Sequence, residues 1–189
     1  MSVKDIIKLA CVFLNKQELI ETNVFDETLR EPTEEEQKEV EMLLRCLNLI
    51  VGEISCDYLP LINQENVTVS NKTIEFPTLS LTLLEVLSVR DKFGKLVKFK
   101  LFPNRIELPN GEYSVEYSYI PDSLTLDDQM YSFYGKVPDR VFAYGIAMEY
   151  SLLSSLFDEM EIWQTRFRDA LKIAVTKHGE KRLPKRGWF

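Results

Sequence analysis

A chain of 189 residues, 45% hydrophobic and 11% aromatic, has the length of one domain with room for a smaller subdomain, and enough apolar content to bury a core. Its net charge of −7 excludes binding of nucleic acid by general charge attraction, and its apolar runs fall short of the ~18–20 residues that span a bilayer. The three cysteines, Cys11, Cys46 and Cys56, are odd in number, form no CxxC pair and sit in apolar patterns. They read as buried, reduced thiols of a reducing compartment, and with no signal-peptide pattern in residues 1–10 synthesis in a cytoplasm is expected.

In chain order, Val3, Ile6, Ile7, Leu9, Ala10, Phe13 and Leu14 recur at helical spacing and predict a helix within residues 3–20. Residues 21–32 are polar and broken by Pro32, a loop. Thr33-Glu34-Glu35-Glu36 then forms a capping box, in which the Thr33 hydroxyl accepts from the Glu36 amide while the Glu36 carboxylate reaches back. Val40, Leu43, Leu44, Leu47, Ile50, Val51, Ile54 and Tyr58 follow on one helical face, ended by Pro60. From Asn66 to Ile120 the period changes to two. Residues 67–76 suggest a hairpin about Asn71, residues 84–90 and 96–102 alternate on either side of an Asp91–Gly94 turn, and 105–108 and 112–119 flank the Asn110-Gly111 turn. A polar connector, 121–137, leads through Pro138 into one long amphipathic helix from Val141 to about Lys177. Its 37 residues would reach about 55 Å, so it either projects or kinks, with Gly145 or the Ser154-Ser155 pair as the places for a kink.

The expected fold class is α+β: a helical bundle of two N-terminal helices and one long C-terminal helix, with an inserted small antiparallel β domain. The expected segments are 1–65 for the N-terminal helices, 66–120 for the β subdomain, 121–178 for the connector and the long helix packing on the first two, and 179–189 for an extended tail.

Charge is unevenly placed. Residues 26–41 carry eight acids against Arg30 and Lys38, and residues 180–189 carry Lys181, Arg182, Lys185 and Arg186 against Glu180. The acidic stretch reads either as an electrostatic surface or as a well-capped, solvated helix start. In the tail, Pro184 prevents the helix from resuming, and Trp188 and Phe189 are of the type enriched at binding hot spots. Arg182 and Arg186 suit bidentate carboxylate or phosphate contacts. The tail either folds back on its own domain, docks into a partner or neighbouring subunit, or touches nucleic acid.

Catalytic signatures are missing from the sequence. His178 is the one histidine, at the end of a helix beside Gly179. There is no GxSxG elbow, no Gly-rich phosphate loop, no HExxH and no Cys/His cluster with zinc spacing. Asp127-Asp128 and Asp158-Glu159 are sequence neighbours, which point about 100° apart on a helix. No enzymatic role, no cofactor and no metal is expected.

The order of parts, with the strand Gly111-Glu-Tyr-Ser-Val-Glu-Tyr-Ser-Tyr-Ile-Pro121 and the basic aromatic terminus, resembles the head–tail connector (adaptor) proteins of tailed bacteriophages, most closely the tail tubular protein A type of short-tailed phages. The resemblance implies a structural virion protein at the head–tail junction. It would form a homo-oligomeric ring, commonly of twelve copies, beneath the portal protein, continue the DNA channel without specific binding, and offer a platform for the tail nozzle or further ring proteins, with no membrane involved. It also implies portal docking by Arg182, Leu183, Pro184, Arg186, Trp188 and Phe189. An acidic channel-facing surface at Glu31, Glu34, Glu35, Glu36 and Glu39 would let DNA slide past. The alternative is a small monomeric or dimeric α+β ligand-binding or regulatory module without catalysis.

Overall fold

The computed structural model describes residues 2–133 and 137–176. They form an α+β fold of α-helices and two small antiparallel sheets, as the change of period predicts. The chain divides into two compact units: residues 3–47 with 137–176, and residues 48–133.

The first unit is helical. α1 (Val3–Phe13) buries Val3, Ile6, Ile7, Ala10 and Cys11, the i, i+3, i+4, i+7, i+8 face that its sequence spells. It stops sooner than residue 20, because Asn15 takes a left-handed φ of 55°. The Lys16 N–H then donates to the Cys11 carbonyl at 2.8 Å and the Asn15 N–H to Val12 at 3.3 Å, a Schellman cap with asparagine in place of glycine. A short turn, α2 (Gln17–Ile20), follows. α3 (Glu34–Glu53) opens with the predicted capping box: the Thr33 N–H donates to Glu36 Oε2 at 2.8 Å and the Glu36 N–H to Thr33 Oγ1 at 3.3 Å. Val40, Leu43, Cys46 and Leu47 are buried, each fully buried aliphatic contributing roughly 1.5–3 kcal/mol.

The predicted single C-terminal helix is two helices, α4 (Asp139–Leu153) and α5 (Phe157–Thr176). Gly145 lies buried inside α4, and the break falls at the serine pair. Ser155 takes φ 59°, the Leu156 N–H donates to the Ser151 carbonyl at 2.8 Å, and the Ser155 N–H donates to Leu152 at 3.1 Å. This second Schellman cap ends α4 outright instead of bending it. Serine is a middling helix former whose hydroxyl competes for backbone partners, so two together give the helix little to lose by stopping. α1, α4 and α5 meet at a stack of three rings, with Phe13 5.1 Å from Tyr144 and 5.5 Å from Trp163 between centroids. Each such pair adds about 0.5–1.5 kcal/mol beyond its burial.

The second unit is mostly β. Past Glu53 the helix widens into a π turn over Ile54–Tyr58, closed by the Leu59 N–H on the Ile54 carbonyl at 2.7 Å. Pro60 disfavours helical backbone at Leu59 and has no N–H of its own to continue the ladder. The turn leaves Cys56 exposed, whereas Cys11 and Cys46 are buried. The expectation of three buried thiols is therefore corrected: Cys56 sits where the helical face loses its phase. Burial pushes the Cys11 and Cys46 thiols up to about 12. Native protein is expected to react with a thiol reagent at Cys56 alone, with Cys11 and Cys46 labelling only after denaturant is added, as counted by mass spectrometry.

β1 (Leu61–Val69), β6 (Gly111–Tyr119) and β3 (Leu83–Asp91) form one sheet in the order β1-β6-β3, and β2 (Thr73–Glu75), β5 (Arg105–Glu107) and β4 (Lys100–Leu101) form the other in the order β2-β5-β4. β6 is the centre of the larger sheet. Leu61 faces Tyr119 and Val69 faces Gly111 along one edge, while Val89 faces Val115 along the other. The hairpin expected over residues 67–76 does not form, because β1 pairs with β6 and β2 with β5. Lys72 takes φ 59° and its N–H is held by Asn110 Oδ1 at 2.8 Å, which turns the chain from one sheet into the other. The long strand expected over 96–102 shortens for the same reason. Val97 still donates to Val89, but the chain then leaves β3, and Lys100–Leu101 pair with β5. The inner faces of both sheets share one core, in which Ile74 and Ile106 from the smaller sheet join Val89, Tyr113, Val115 and Tyr117 from the larger. The apolar face of the β unit thus finds its second layer in a small sandwich.

Candidate functional site

Three surfaces carry the charge and exposed apolar area from which a function can be built. The first is the acidic start of α3. The structure sorts its five expected residues into two groups. Glu31, Glu34 and Glu35 are exposed, with Glu34 paired to Lys38 one turn on at 2.6 Å. Glu36 and Glu39 are turned inward instead. Glu36 accepts from Arg30 Nη1 at 2.8 Å and Nη2 at 2.5 Å as well as from Thr33. Glu39 Oε1 accepts from Lys16 Nζ at 2.5 Å and from the Tyr150 hydroxyl at 2.6 Å, tying the stretch after α1 and the end of α4 to α3. The exposed acidic surface therefore consists of Asp26, Glu27, Glu31, Glu34, Glu35 and Glu41.

These contacts set a pH dependence. The Arg30 guanidinium, helped by the Thr33 amide, holds the Glu36 carboxyl at about 2, against an ordinary 4.5. At Glu39 burial disfavours the charge, but the hydrogen bonds from Lys16 and Tyr150 outweigh it and lower the pKa. A carboxyl with a depressed folded pKa contributes stability that is present above its unfolded value and is lost as pH falls through the folded one. Unfolding midpoints are thus expected to fall as pH is lowered from about 4.5 toward 2, and the Glu36→Gln, Glu39→Gln double variant should show a shallower fall over that window.

The second surface is the turn between β3 and β4, which the sequence reading passed over as plain alternation. Residues 90–105 hold six bases against Asp91 alone. Arg90, Lys92, Lys95, Lys98 and Lys100 are exposed, and so are Phe93, at 82% the most open large apolar residue described, Leu96 and Leu101. The tip is firmly built. The Asp91 carboxylate accepts from the Phe93 N–H at 2.9 Å and the Lys95 N–H at 3.0 Å, Gly94 takes φ 78°, and its N–H returns to the Asp91 carbonyl at 2.9 Å. Lys92 lies over the Phe93 ring at 5.2 Å. The signal was legible in the repeated Lys at 92, 95, 98 and 100, but the acidic total of the chain hid it.

The third surface is the corner between α4 and α5. Leu152, Leu153, Leu156 and Phe157 are all exposed there, Phe157 at 59%, and Asp158, Glu159 and Glu161 stand beside them in the open. The six expected docking residues, Arg182, Leu183, Pro184, Arg186, Trp188 and Phe189, lie outside the described residues, as does His178.

Among the described residues no group of three or more His, Cys, Asp or Glu side chains is placed to hold a metal ion, and no helix is long and apolar enough to cross a membrane. An open groove of about 440 Å³ on the β unit is lined by Asp91, Lys92, Glu112 and Tyr113 among others, a mixed set that does not converge on one charge. No protein-family model matches the chain, and no curated protein matches it in sequence.

Proposed function

We propose that the chain is a head–tail adaptor of a tailed bacteriophage: a structural virion protein that assembles as a ring between portal and tail and continues the DNA channel. The observation that carries the reading is the arrangement of parts. Residues 3–47 and 137–176 build one helical unit, and between them is inserted a β unit whose central strand, β6, bears the Gly-x-Tyr-x-Val-x-Tyr-x-Tyr pattern. The exposed Glu31, Glu34 and Glu35 suit a wall that repels phosphates, while Glu36 and Glu39 serve the fold of the subunit itself. In this reading the basic aromatic residues 180–189 engage the portal, and the nozzle proteins of the tail attach on the other side of the ring.

The test is co-sedimentation of the purified chain with portal assemblies. The full chain is expected to join them, and deletion of residues 180–189 is expected to weaken that binding by about 100-fold or more, the scale of removing aromatic and arginine hot spots. A full chain that stays free of every portal assembly offered from short-tailed phages overturns the proposal.

A further inference from the structure

We propose that two copies of this chain join head to tail, the basic β3–β4 turn of one seated on the apolar, acidic α4–α5 corner of the next. Each surface has the two ingredients the other lacks or matches. The turn presents Phe93, Leu96 and Leu101 among Lys92, Lys95 and Lys98, with no exposed acid from Arg90 to Lys100. The corner presents Leu152, Leu153, Leu156 and Phe157. Residues 149–161 around them hold Glu149, Asp158, Glu159 and Glu161 and no base. Apolar groups can meet at the centre while opposite charges close the rim, the usual anatomy of a specific contact.

The other acidic surface fits less well. At the start of α3 only Leu29 accompanies the exposed acids, so it offers charge with little apolar area to cover. The turn is also ready to bind without further ordering. Its tip is held by the Asp91 carboxylate and the Gly94 backbone, so little conformational entropy is lost when a partner covers it. Because the two surfaces are different patches of one chain, the contact is heterologous unless two copies exchange both contacts about a two-fold axis. In the head-to-tail arrangement each copy that accepts a turn still has its own turn free, and the contact propagates into a closed ring or an open filament. The inference is drawn from the two surfaces and does not need the adaptor reading, although a ring is what that reading requires.

The experiment uses the full chain in sedimentation equilibrium at low ionic strength, up to roughly 100 μM, where a contact with Kd of about 10 μM is mostly formed. The parent chain is expected to self-associate, and less so as salt rises. Two charge reversals, Lys95→Glu with Lys98→Glu on the turn and Glu159→Lys with Glu161→Lys at the corner, should each weaken association by about 10-fold or more. Mixed together they should associate again, since each then carries the complement of the other; a folding defect cannot produce that rescue. Phe93→Ala, at a side chain too exposed to matter for folding, should also weaken association. A parent chain that stays monomeric under these conditions overturns the proposal, and so do reversal variants that associate like the parent or fail to rescue one another. A parent that binds a duplex DNA oligonucleotide through the turn without self-associating identifies the turn as a phosphate contact and overturns it too. Reversal variants that form rings on portal like the parent contradict this contact alone, whereas a chain that self-associates as described yet ignores portal contradicts the adaptor alone.

Discussion

Tyr117→Ala is expected to lower the unfolding free energy by about 3–5 kcal/mol, the range for deleting a large aromatic from a packed core. Tyr117 is completely buried on β6, the strand that both neighbours in its sheet depend on. Its ring packs in the core shared with Ile74, Val89, Ile106 and Val115. The hydroxyl accepts from Asn63 Nδ2 at 3.1 Å and donates to Glu65 Oε1 at 3.3 Å, and Glu65 in turn receives the Ser80 hydroxyl at 2.6 Å. Tyr117→Phe keeps the ring and removes only the polar end, so it should cost less, about 0.5–1.5 kcal/mol. Denaturant titrations monitored by circular dichroism give both values, provided the m-value stays unchanged. A Tyr117→Ala midpoint close to that of the parent would mean that the two sheets do not close on a common core.

Phe167→Ala is expected to have a comparable effect, about 3–5 kcal/mol, in the helical unit. Most of α5 faces solvent, and Phe167, Leu171 and Ala174 are its buried residues, one stripe at i, i+4 and i+7. Of the three, Phe167 has the largest side chain and is fully buried. Losing it removes the main anchor of a helix that cannot draw support from α4 through a continuous backbone ladder, since the Ser155 cap separates the two. Ile162→Ala on the same helix is the matched control: the side chain is exposed, and surface changes of this kind stay within about 0.5 kcal/mol. Equal losses at the two positions would show that the exposed side of α5 is covered in solution.

Some of the fold is legible from local pattern alone. The Thr33–Glu36 box lies within one turn of helix, so its two reciprocal hydrogen bonds depend on nothing distant. The Val3-to-Cys11 face and the alternation of Tyr113, Val115 and Tyr117 are likewise local statements about which side of an element is apolar. Strand pairing is another matter. A turn at Asn71 looks like a hairpin, but whether two strands pair or part depends on which sheet has room for Ile74, and that was settled by Ile106 far along the chain. The long helix failed for a subtler reason. Ser154-Ser155 permits either a bend or a stop, and the stop requires Ser155 to take a left-handed backbone that serine adopts only when its surroundings repay the strain.

The charged surfaces divide in the same way. Composition located the acids of residues 26–41 and placed them at a helix start. Only the tertiary structure assigned Glu36 to Arg30 and Glu39 to Lys16 and Tyr150, because Tyr150 lies on α4 and comes close only when the helical unit is assembled. The exposed turn at Phe93 and the corner at Phe157 follow the same rule, since exposure is a property of what does not pack. The sequence by itself determined the α+β class, the capped start of α3 and the apolar faces of α1 and β6, for these rest on interactions between residues a few positions apart. The partners of each strand, the break in the last helix and the division of acids between fold and surface were decided by tertiary structure. Those outcomes depend on long-range contacts whose free energy no local pattern contains.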